Sequence, residues 1–206
     1  QGVVKRVVPD YPSNKDSWDV IRLEDDDQVV GAVQLRTGEE DLVFVTSDAQ
    51  LLHFSAGVVR PQGRSGGGVT GVKLGSGAHI TFFGAVPPGR DATVVTVAGS
   101  SSALPGTQAG TVKVTPYSEY PAKGRATGGV RCHRFLKGED TLLLAWVGPA
   151  PARASAASGV PIELPDDVGR RDGSGAPAPQ PIAAVGPHLA ENETAVTQPL
   201  LVEDES

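Results

Sequence analysis

One stretch of the chain contains side chains that could bind a ligand or take part in catalysis. It is G-R-A-T-G-G-V-R-C-H-R-F-L-K-G-E-D, residues 124–140. It combines glycines with four cationic side chains, the thiol of Cys132 and the imidazole of His133. Such residues could form a phosphate-binding loop, a metal site or a nucleophilic thiol. Whether the stretch occurs once or recurs decides between these chemistries and an architectural role.

The glycine pattern recurs. G-R-x-x-G-G-V occurs in residues 63–69 and 124–130, and its arginines are 61 positions apart (125 − 64). A nucleotide-binding loop is expected once, between a strand and a helix, and neither a helical pattern nor G-K-[ST] follows here. The motif therefore predicts an architectural turn in which glycines allow positive φ and a close backbone approach at a strand entry.

The adjacent Cys132 and His133 do not suggest a shared site. Neighbouring residues in a strand point to opposite faces, and the preceding copy has Gly71 and Val72 at these positions. The pattern predicts a half-buried cysteine and a surface histidine. The other histidines lack ligand spacing: His53, His79 and His188.

Tyrosines and carboxylates offer two further candidates. Tyr11, Tyr117 and Tyr120 lie in proline-containing loops without a neighbouring base, so a packing role is favoured over a nucleophilic one. The acidic run 24–27 has no matching carboxylates in the other copies, which favours a solvated turn over a Mg²⁺ or Ca²⁺ site.

Repeats also organise the rest of the chain. A G-V-V-K-like motif begins at Gly2, Gly57, Gly110 and, weakly, Gly159, with spacings of 55, 53 and 49 residues. Apolar runs accompany these motifs, and two of them predict hairpins with turns at S-D-A and G-S-S-S. The runs are 42–54, 92–104 and, faintly, 142–158, and further apolar runs follow polar turns in 24–35, 75–86 and 137–148.

Each unit therefore predicts about four short strands over roughly 50–60 residues, without sustained helical periodicity. Four such units predict an all-β, propeller-like array of about four four-stranded blades, whose faces are covered by neighbouring blades. The last unit, with many Gly and Pro in 166–186, predicts a degenerate blade. We expect the repeats to span 1–186 and a flexible acidic tail to span 187–206.

The composition excludes several classes of protein. The 206 residues are 39% hydrophobic and include one cysteine, which excludes a disulfide framework and a multi-cysteine zinc site. No apolar run suggests a membrane span, and a cytoplasmic setting is expected. The absence of methionine suggests a fragment of a longer protein. The net charge of −6 divides into +1 for residues 1–160 and −7 for 161–206.

Basic residues recur at matched places in the units, on or near the two glycine motifs. In a radial array equivalent positions fall on equivalent parts of the rim, so these side chains could form a curved track that attracts a polyanion. Ordinary surface charge is the alternative, and this pattern leaves the two open.

Several motifs together resemble the C-terminal domain of type IIA DNA topoisomerase A subunits, the family of gyrase A and topoisomerase IV A. They are G-V-V-K-R, L-V-F-V-T-S-D-A-Q-L-L, G-R-x-x-G-G-V and L-K-G-E-D, and R-A-T-G-G-V-R-C-H-R-F-L-K-G-E-D is similar to the actinobacterial type. The resemblance covers roughly residues 1–165 and implies a β-pinwheel whose blades exchange strands and whose rim binds and bends duplex DNA. The implied DNA-facing residues are Lys5, Arg6, Arg60, Arg64, Lys73, Lys113, Lys123, Arg125, Arg131 and Arg134.

The family also implies what this segment lacks. Its catalytic tyrosine lies in an N-terminal portion absent here, and ATP and Mg²⁺ are used elsewhere in a heterotetramer with an ATPase B subunit, so no cofactor is expected here. Gyrase carries a Q-R-R-G-G-K-G box, whereas residues 62–68 read Q-G-R-S-G-G-G with Arg64 as the one base. This departure favours relaxation and decatenation of DNA over supercoiling.

Two other classes of protein are the alternatives. A protein-interaction propeller without DNA binding predicts exposed apolar hot spots, while Trp18 and Trp146 lie in strand-like runs that suggest core packing. A propeller hydrolase needs convergent carboxylates, a triad or a metal, which the sequence does not offer. The acidic tail is expected to compete with DNA for the basic rim.

Overall fold

The architecture is a succession of short β sheets, seen in a computed structural model that describes residues 1–166 and 170–188. The helical elements of this part are two 3-10 turns, Ala56–Val58 and Tyr117–Glu119, and neither could cross a membrane. Strands β1 to β15 of the described residues are, in order, Val3–Val4, Arg6–Val7, Asp41–Thr46, Gln50–Ser55, Pro61–Gln62, Val69–Thr70, Ile80–Val86, Ala92–Gly99, Thr111–Pro116, Val130–Arg131, Thr141–Pro149, Ala152–Ser155, Pro161–Ile162, Ala176–Pro177 and Ala184–Pro187.

The strands form four consecutive units, which we call blades. Blade 1 consists of the antiparallel pair β1–β6 and the parallel pair β2–β5. Blade 2 has the strand order β10-β4-β3-β7, blade 3 has β11-β8-β9-β14, and blade 4 has β13-β12-β15. This arrangement confirms the predicted all-β repeat fold with a degenerate last blade.

The middle blades bury both faces of their sheets. In β3, Val43 and Val45 face a core shared with blade 3, whereas Leu42 and Phe44 face a core shared with blade 1. Each such side chain contributes about 1.5–3 kcal/mol on full burial. Because alternate residues of one strand need different neighbouring blades, no blade can be stable alone.

Blades 1, 2 and 3 each contain one short strand that comes from the part of the chain forming the next blade. Strand β6 pairs with β1, β10 with β4, and β14 with β9, all antiparallel. In each case this donated strand lies, along the chain, between the hairpin and the last strand of the next blade. The predicted exchange of strands is therefore present.

Register corrects the alignment of the G-V-V motifs. Gly2, Ala49 and Gly110 each precede the hairpin strand that receives a donated strand, and their φ angles are 76°, 60° and 69°. Gly57 instead lies in the 3-10 turn that follows β4. The predicted equivalence of Gly57 with Gly2 and Gly110 is therefore wrong, because the shared feature is a left-handed residue at the strand entry.

Only the first of the two predicted hairpins has the predicted turn. S-D-A forms the predicted turn between β3 and β4, but the second hairpin has a longer connection from Ser100 to Gly110, so the strand expected at 102–104 begins at Thr111. The run 142–158 is divided between blades 3 and 4.

Residues 8–40 contain no strand, so the strand expected within 24–35 is not formed. The corresponding β7 and β11 pair with the first hairpin strands β3 and β8. No hairpin strand precedes β1 in the described residues, so this segment has no partner there.

The expected boundary at residue 186 falls inside β15, which ends at Pro187. Of the expected acidic tail, residues 189–206 lie outside the described part of the chain.

Candidate nucleic-acid interface

Three segments form the candidate interface, and each is passed from one blade to the blade before it. These donated segments are residues 63–73, 124–134 and 170–177. Each has a polar, glycine-containing loop followed by β6, β10 or β14. The loop has to leave its own blade because the short strand that follows it pairs with a strand of the preceding blade.

Basic residues recur at fixed positions around the donated strands. Arg64, Arg125 and Arg171 each lie five residues before the donated strand begins. Lys73 and Arg134 each lie three residues after it ends. The predicted repetition of basic positions is therefore a property of the fold as well as of the sequence.

Backbone hydrogen bonds place the first two donated segments side by side. The Ala126 amide donates to the Gly71 carbonyl at 2.7 Å, and the Lys73 amide donates to the Thr127 carbonyl at 3.0 Å. These contacts bring Lys73 next to the loop that carries Arg125.

An equivalent bond joins the second and third donated segments. The Arg134 amide donates to the Gly173 carbonyl at 2.9 Å, as Lys73 does one blade earlier. Arg134 and Arg170 line one shallow depression together with Asp172, whose carboxylate lies 3.8 Å from Arg170 Nε. The three segments therefore follow one another along a single edge of the array.

Most of the predicted DNA-facing residues are exposed on this edge or beside it. Arg60 is exposed just before β5, which leads into the first donated segment. Arg170 was missed by sequence reasoning, although its side chain is 82% exposed, because the third segment lacks the G-G-V pattern. The exposed predicted residues on or next to the donated segments are Arg64, Lys73, Lys123, Arg125, Arg131 and Arg134.

Lys113 has to be removed from the predicted DNA-facing set. It is 1% exposed, and its Nζ donates to the carbonyls of Arg170, at 3.1 Å, and Arg171. Burial lowers the pKa of this amine to about 8. A lysine enclosed in this way cannot meet a phosphate in this structure.

Lys5 and Arg6 are also engaged within the protein. Lys5 Nζ donates to the carbonyls of Val20, at 2.6 Å, and Arg64, at 2.9 Å, and desolvation lowers the pKa of this amine. Arg6 Nη1 donates to the Ala56 carbonyl at 3.2 Å. Both side chains are half-buried, so they present less charge to solvent than predicted.

The glycine before each donated strand permits close pairing. Gly68 and Gly129 have φ angles of 88° and 76°. A Cβ at Gly68 would lie 2.7 Å from the Val4 carbonyl oxygen, and one at Gly129 would lie 2.3 Å from the Leu51 carbonyl oxygen. This geometry confirms the predicted architectural role of G-G-V, a close approach at a strand entry.

Cys132 is fully buried, and burial raises the pKa of its thiol to about 12. A neutral, enclosed thiol is a poor nucleophile. Its amide donates to the Ala49 carbonyl at 2.9 Å, which extends the pairing of the donated segment with blade 2.

His133 is 1% exposed, so the prediction of a surface histidine is wrong. The Gly175 amide donates to its Nε2 at 3.2 Å, which leaves Nδ1 to donate to Thr96 Oγ1 at 2.9 Å. Burial, together with the nearby Lys113 ammonium, lowers the pKa of the imidazole to about 4. A neutral His133 thus ties the second donated segment to the third.

Two of the three tyrosines have structural roles, in line with the packing interpretation, whereas Tyr11 is 67% exposed. Tyr117 and Tyr120 are buried, and desolvation raises the pKa of each phenol above its usual value. Tyr117 donates to the Asp41 carboxylate at 3.3 Å, and His53 bridges that carboxylate and the Tyr120 carbonyl.

In the acidic run, Asp25 and Asp26 form an exposed turn. Asp27 Oδ1 accepts a hydrogen bond from the Gln28 amide at 2.9 Å. Among the described residues no three His, Cys, Asp or Glu side chains gather as metal ligands.

Consecutive blades with exchanged strands define a β-propeller-like repeat domain. A family model described as DNA gyrase C-terminal domain, beta-propeller, matches residues 40–87 and 106–143. The DNA gyrase A protein of Staphylococcus epidermidis is 33% identical over 158 residues, which cover 70% of this chain and 17% of that protein. The DNA gyrase A protein of Mycobacterium bovis is 34% identical over 133 residues, covering 63% of this chain and 14% of that protein.

The chain belongs to the family of C-terminal domains of type IIA topoisomerase A subunits. A solved C-terminal domain of DNA topoisomerase IV supports the fold, with a TM-score of 0.63 and 24% identity over 81% of this chain and 52% of that one. The chain spans about 17% of the length of the Staphylococcus relative.

Proposed function

We propose that this domain binds duplex DNA along the edge formed by the three donated segments, and that it curves the DNA around that edge. The observation that carries the proposal is the backbone bonding of these segments in series, with the Lys73 and Arg134 amides in equivalent roles. Cations held at blade-spaced positions can follow a curved phosphate backbone.

The contacts on this edge are suited to binding that does not depend on DNA sequence. Arginine and lysine on a convex edge neutralise phosphates and release counterions, which supplies affinity and partly offsets the cost of bending. Such contacts orient a duplex but carry no direct base information. The domain would therefore accept any duplex that bends at moderate cost.

In the intact enzyme, the domain guides a DNA segment for strand passage. Cleavage belongs to the catalytic core that precedes this domain, and ATP with Mg²⁺ to the ATPase partner in a heterotetramer. Relaxation and decatenation are favoured over supercoiling, because the loop at 62–68 has Arg64 as its one base where the gyrase box has several. This loop is the first donated loop, at one end of the proposed track.

The experiment compares Arg131→Gln and Arg134→Gln with Arg90→Gln in binding to a duplex of arbitrary sequence across a salt series. Arg90 is exposed between β7 and β8, away from the donated segments, and is the charge-matched control. Each interface variant should flatten the slope of log K against log salt by about 0.9 per lost phosphate contact. The control should keep the wild-type slope.

A protein-contact role is the second candidate, because apolar side chains are exposed in the strand-free part of blade 1. Val29 is 58% exposed, Val30 45% and Leu23 43%. If the wild-type chain fails to bind duplex DNA even at low salt, the DNA proposal is rejected and this role is preferred.

A further inference from the structure

Lys5 and Lys113 occupy the same position in two different blades. Val4 pairs with the first residue of donated strand β6, and Val112 pairs with the first residue of donated strand β14. Each lysine directly follows that paired valine. The two side chains are therefore equivalent by register.

Their contacts are equivalent as well. Lys5 Nζ donates to the Arg64 carbonyl, and Lys113 Nζ donates to the Arg171 carbonyl. Arg64 and Arg171 each lie five residues before the donated strand. Lys113 also holds the Arg170 carbonyl at 3.1 Å. Each lysine thus reaches from a receiving strand to the backbone of the loop that the next blade donates.

An ammonium group can hold such a loop because it supplies three donors to carbonyls that have no strand partner. Leaving a buried charge or carbonyl unpaired costs free energy, so the loop path and the lysine position stabilise each other. In blade 2 the equivalent residue is Leu52, and the loop of the second donated segment is instead held by Arg125 Nη1, which donates to the Thr70 carbonyl at 2.5 Å.

We propose that Lys5 and Lys113 are positioning residues that tether the donated loops and thereby place Arg64 and Arg170 on the DNA-binding edge. The effect on DNA rests on the proposed function, whereas the tether itself does not. Lys113 acts from inside the protein, because it is 1% exposed and its donors face backbone carbonyls.

The tether is tested by amide hydrogen exchange on Lys113→Met in the full chain. Loss of the ammonium should speed exchange at Gly173 and Gly175, whose amides are bonded to the Arg170 carbonyl and to His133, by about tenfold or more. The matched control is Leu52→Met, a volume-conserving change at the equivalent position. Unchanged exchange at Gly173 and Gly175 would overturn the tether.

The positioning role is tested by a double-mutant cycle with Arg170→Gln. We expect each single variant to weaken duplex binding roughly fivefold, and the double variant to bind about as well as Arg170→Gln alone. Independent losses that multiply would show that Lys113 does not act through Arg170. Lys5→Met with Arg64→Gln provides the same cycle at a half-exposed lysine, should Lys113→Met fail to fold.

The two readouts separate the two proposals. If the wild-type chain does not bind DNA but Lys113→Met loosens the 170–175 loop, the function is rejected and the tether stands. If DNA binds and the cycle is multiplicative, the function stands and the positioning role is rejected.

Discussion

At the scale of single residues, several side chains that could bind or react at the surface, judged from the sequence, are buried in the structure. Cys132 and His133 are both enclosed, because the chain leaves the two-residue strand β10 after Arg131 and alternation between faces stops there. Lys113 is enclosed by the third donated loop, whose carbonyls at Arg170 and Arg171 accept its hydrogen bonds. These partners lie 57 and 58 residues further along the chain. Sequence reasoning could dismiss a catalytic Cys–His pair, but it could not foresee partners supplied from another blade.

His133 should make the domain sensitive to mild acid. Its pKa of about 4 lies below the ordinary 6.5, so the unfolded chain takes up a proton first as pH falls, and stability is lost between about pH 6.5 and 4. Urea unfolding at pH 7.5 and pH 5 should show that the wild type loses about 2 kcal/mol more than His133→Gln does. Lys113 and Glu139 are the neighbouring charges and are unchanged in the variant.

Equal acid losses in the wild type and in His133→Gln would contradict a buried, neutral imidazole. The comparison uses the difference between two pH values, so the hydrogen bonds that glutamine fails to replace cancel from it.

At the scale of elements, the G-G-V landmark was the most informative signal. It predicted positive φ and a close backbone approach, and Gly68 and Gly129 have both. The G-V-V landmark was less reliable, because Gly57 matches in sequence but lies in a 3-10 turn. A glycine motif identifies a backbone conformation, whereas register between strands is needed to establish which copies are equivalent.

Gly129→Ala should detach the second donated strand. The new Cβ would lie 2.3 Å from the Leu51 carbonyl oxygen at a φ of 76°, so strain and steric overlap add. We expect a loss of about 2–4 kcal/mol in the free energy of unfolding, measured by urea denaturation. Gly77→Ala is the control, since its φ is 73° and a Cβ there meets nothing within 4 Å.

The control isolates backbone strain, which costs about 1–2 kcal/mol for a left-handed residue. If Gly129→Ala costs no more than Gly77→Ala, the close pairing of the donated strand with blade 2 is not what requires glycine at this position.

At the scale of the whole molecule, shared cores were predictable and the first blade was not. Continuous apolar runs, such as L-V-F-V in β3, indicate strands buried on both faces, and the cores between blades 1, 2 and 3 follow that pattern. The apolar run at 24–35 predicts a strand, yet residues 8–40 form none. An apolar pattern alone does not form a strand, because a strand also needs a neighbouring strand to accept and donate its backbone hydrogen bonds.

Charge also has to be considered over the whole molecule. The net charge of −6 would argue against a polyanion partner, but residues 1–160 are close to neutral. Five of their exposed bases lie on the donated segments: Arg64, Lys73, Arg125, Arg131 and Arg134. A local track of cations attracts DNA at distances of about one Debye length, roughly 8–10 Å in ordinary buffers, whatever the distant charge is.

The central claim is that the donated segments form one continuous path that curves a duplex. It is tested most directly by energy transfer between dyes at the two ends of a duplex on the order of 40 base pairs, a length below the persistence length of DNA. Binding of the wild-type chain should raise the transfer, and Arg90→Gln should match it. The triple variant Arg64→Gln, Arg131→Gln and Arg134→Gln should abolish the rise at protein concentrations that still saturate the DNA. A bound duplex that stays straight with the wild type, or bends equally with the triple variant, would contradict the account.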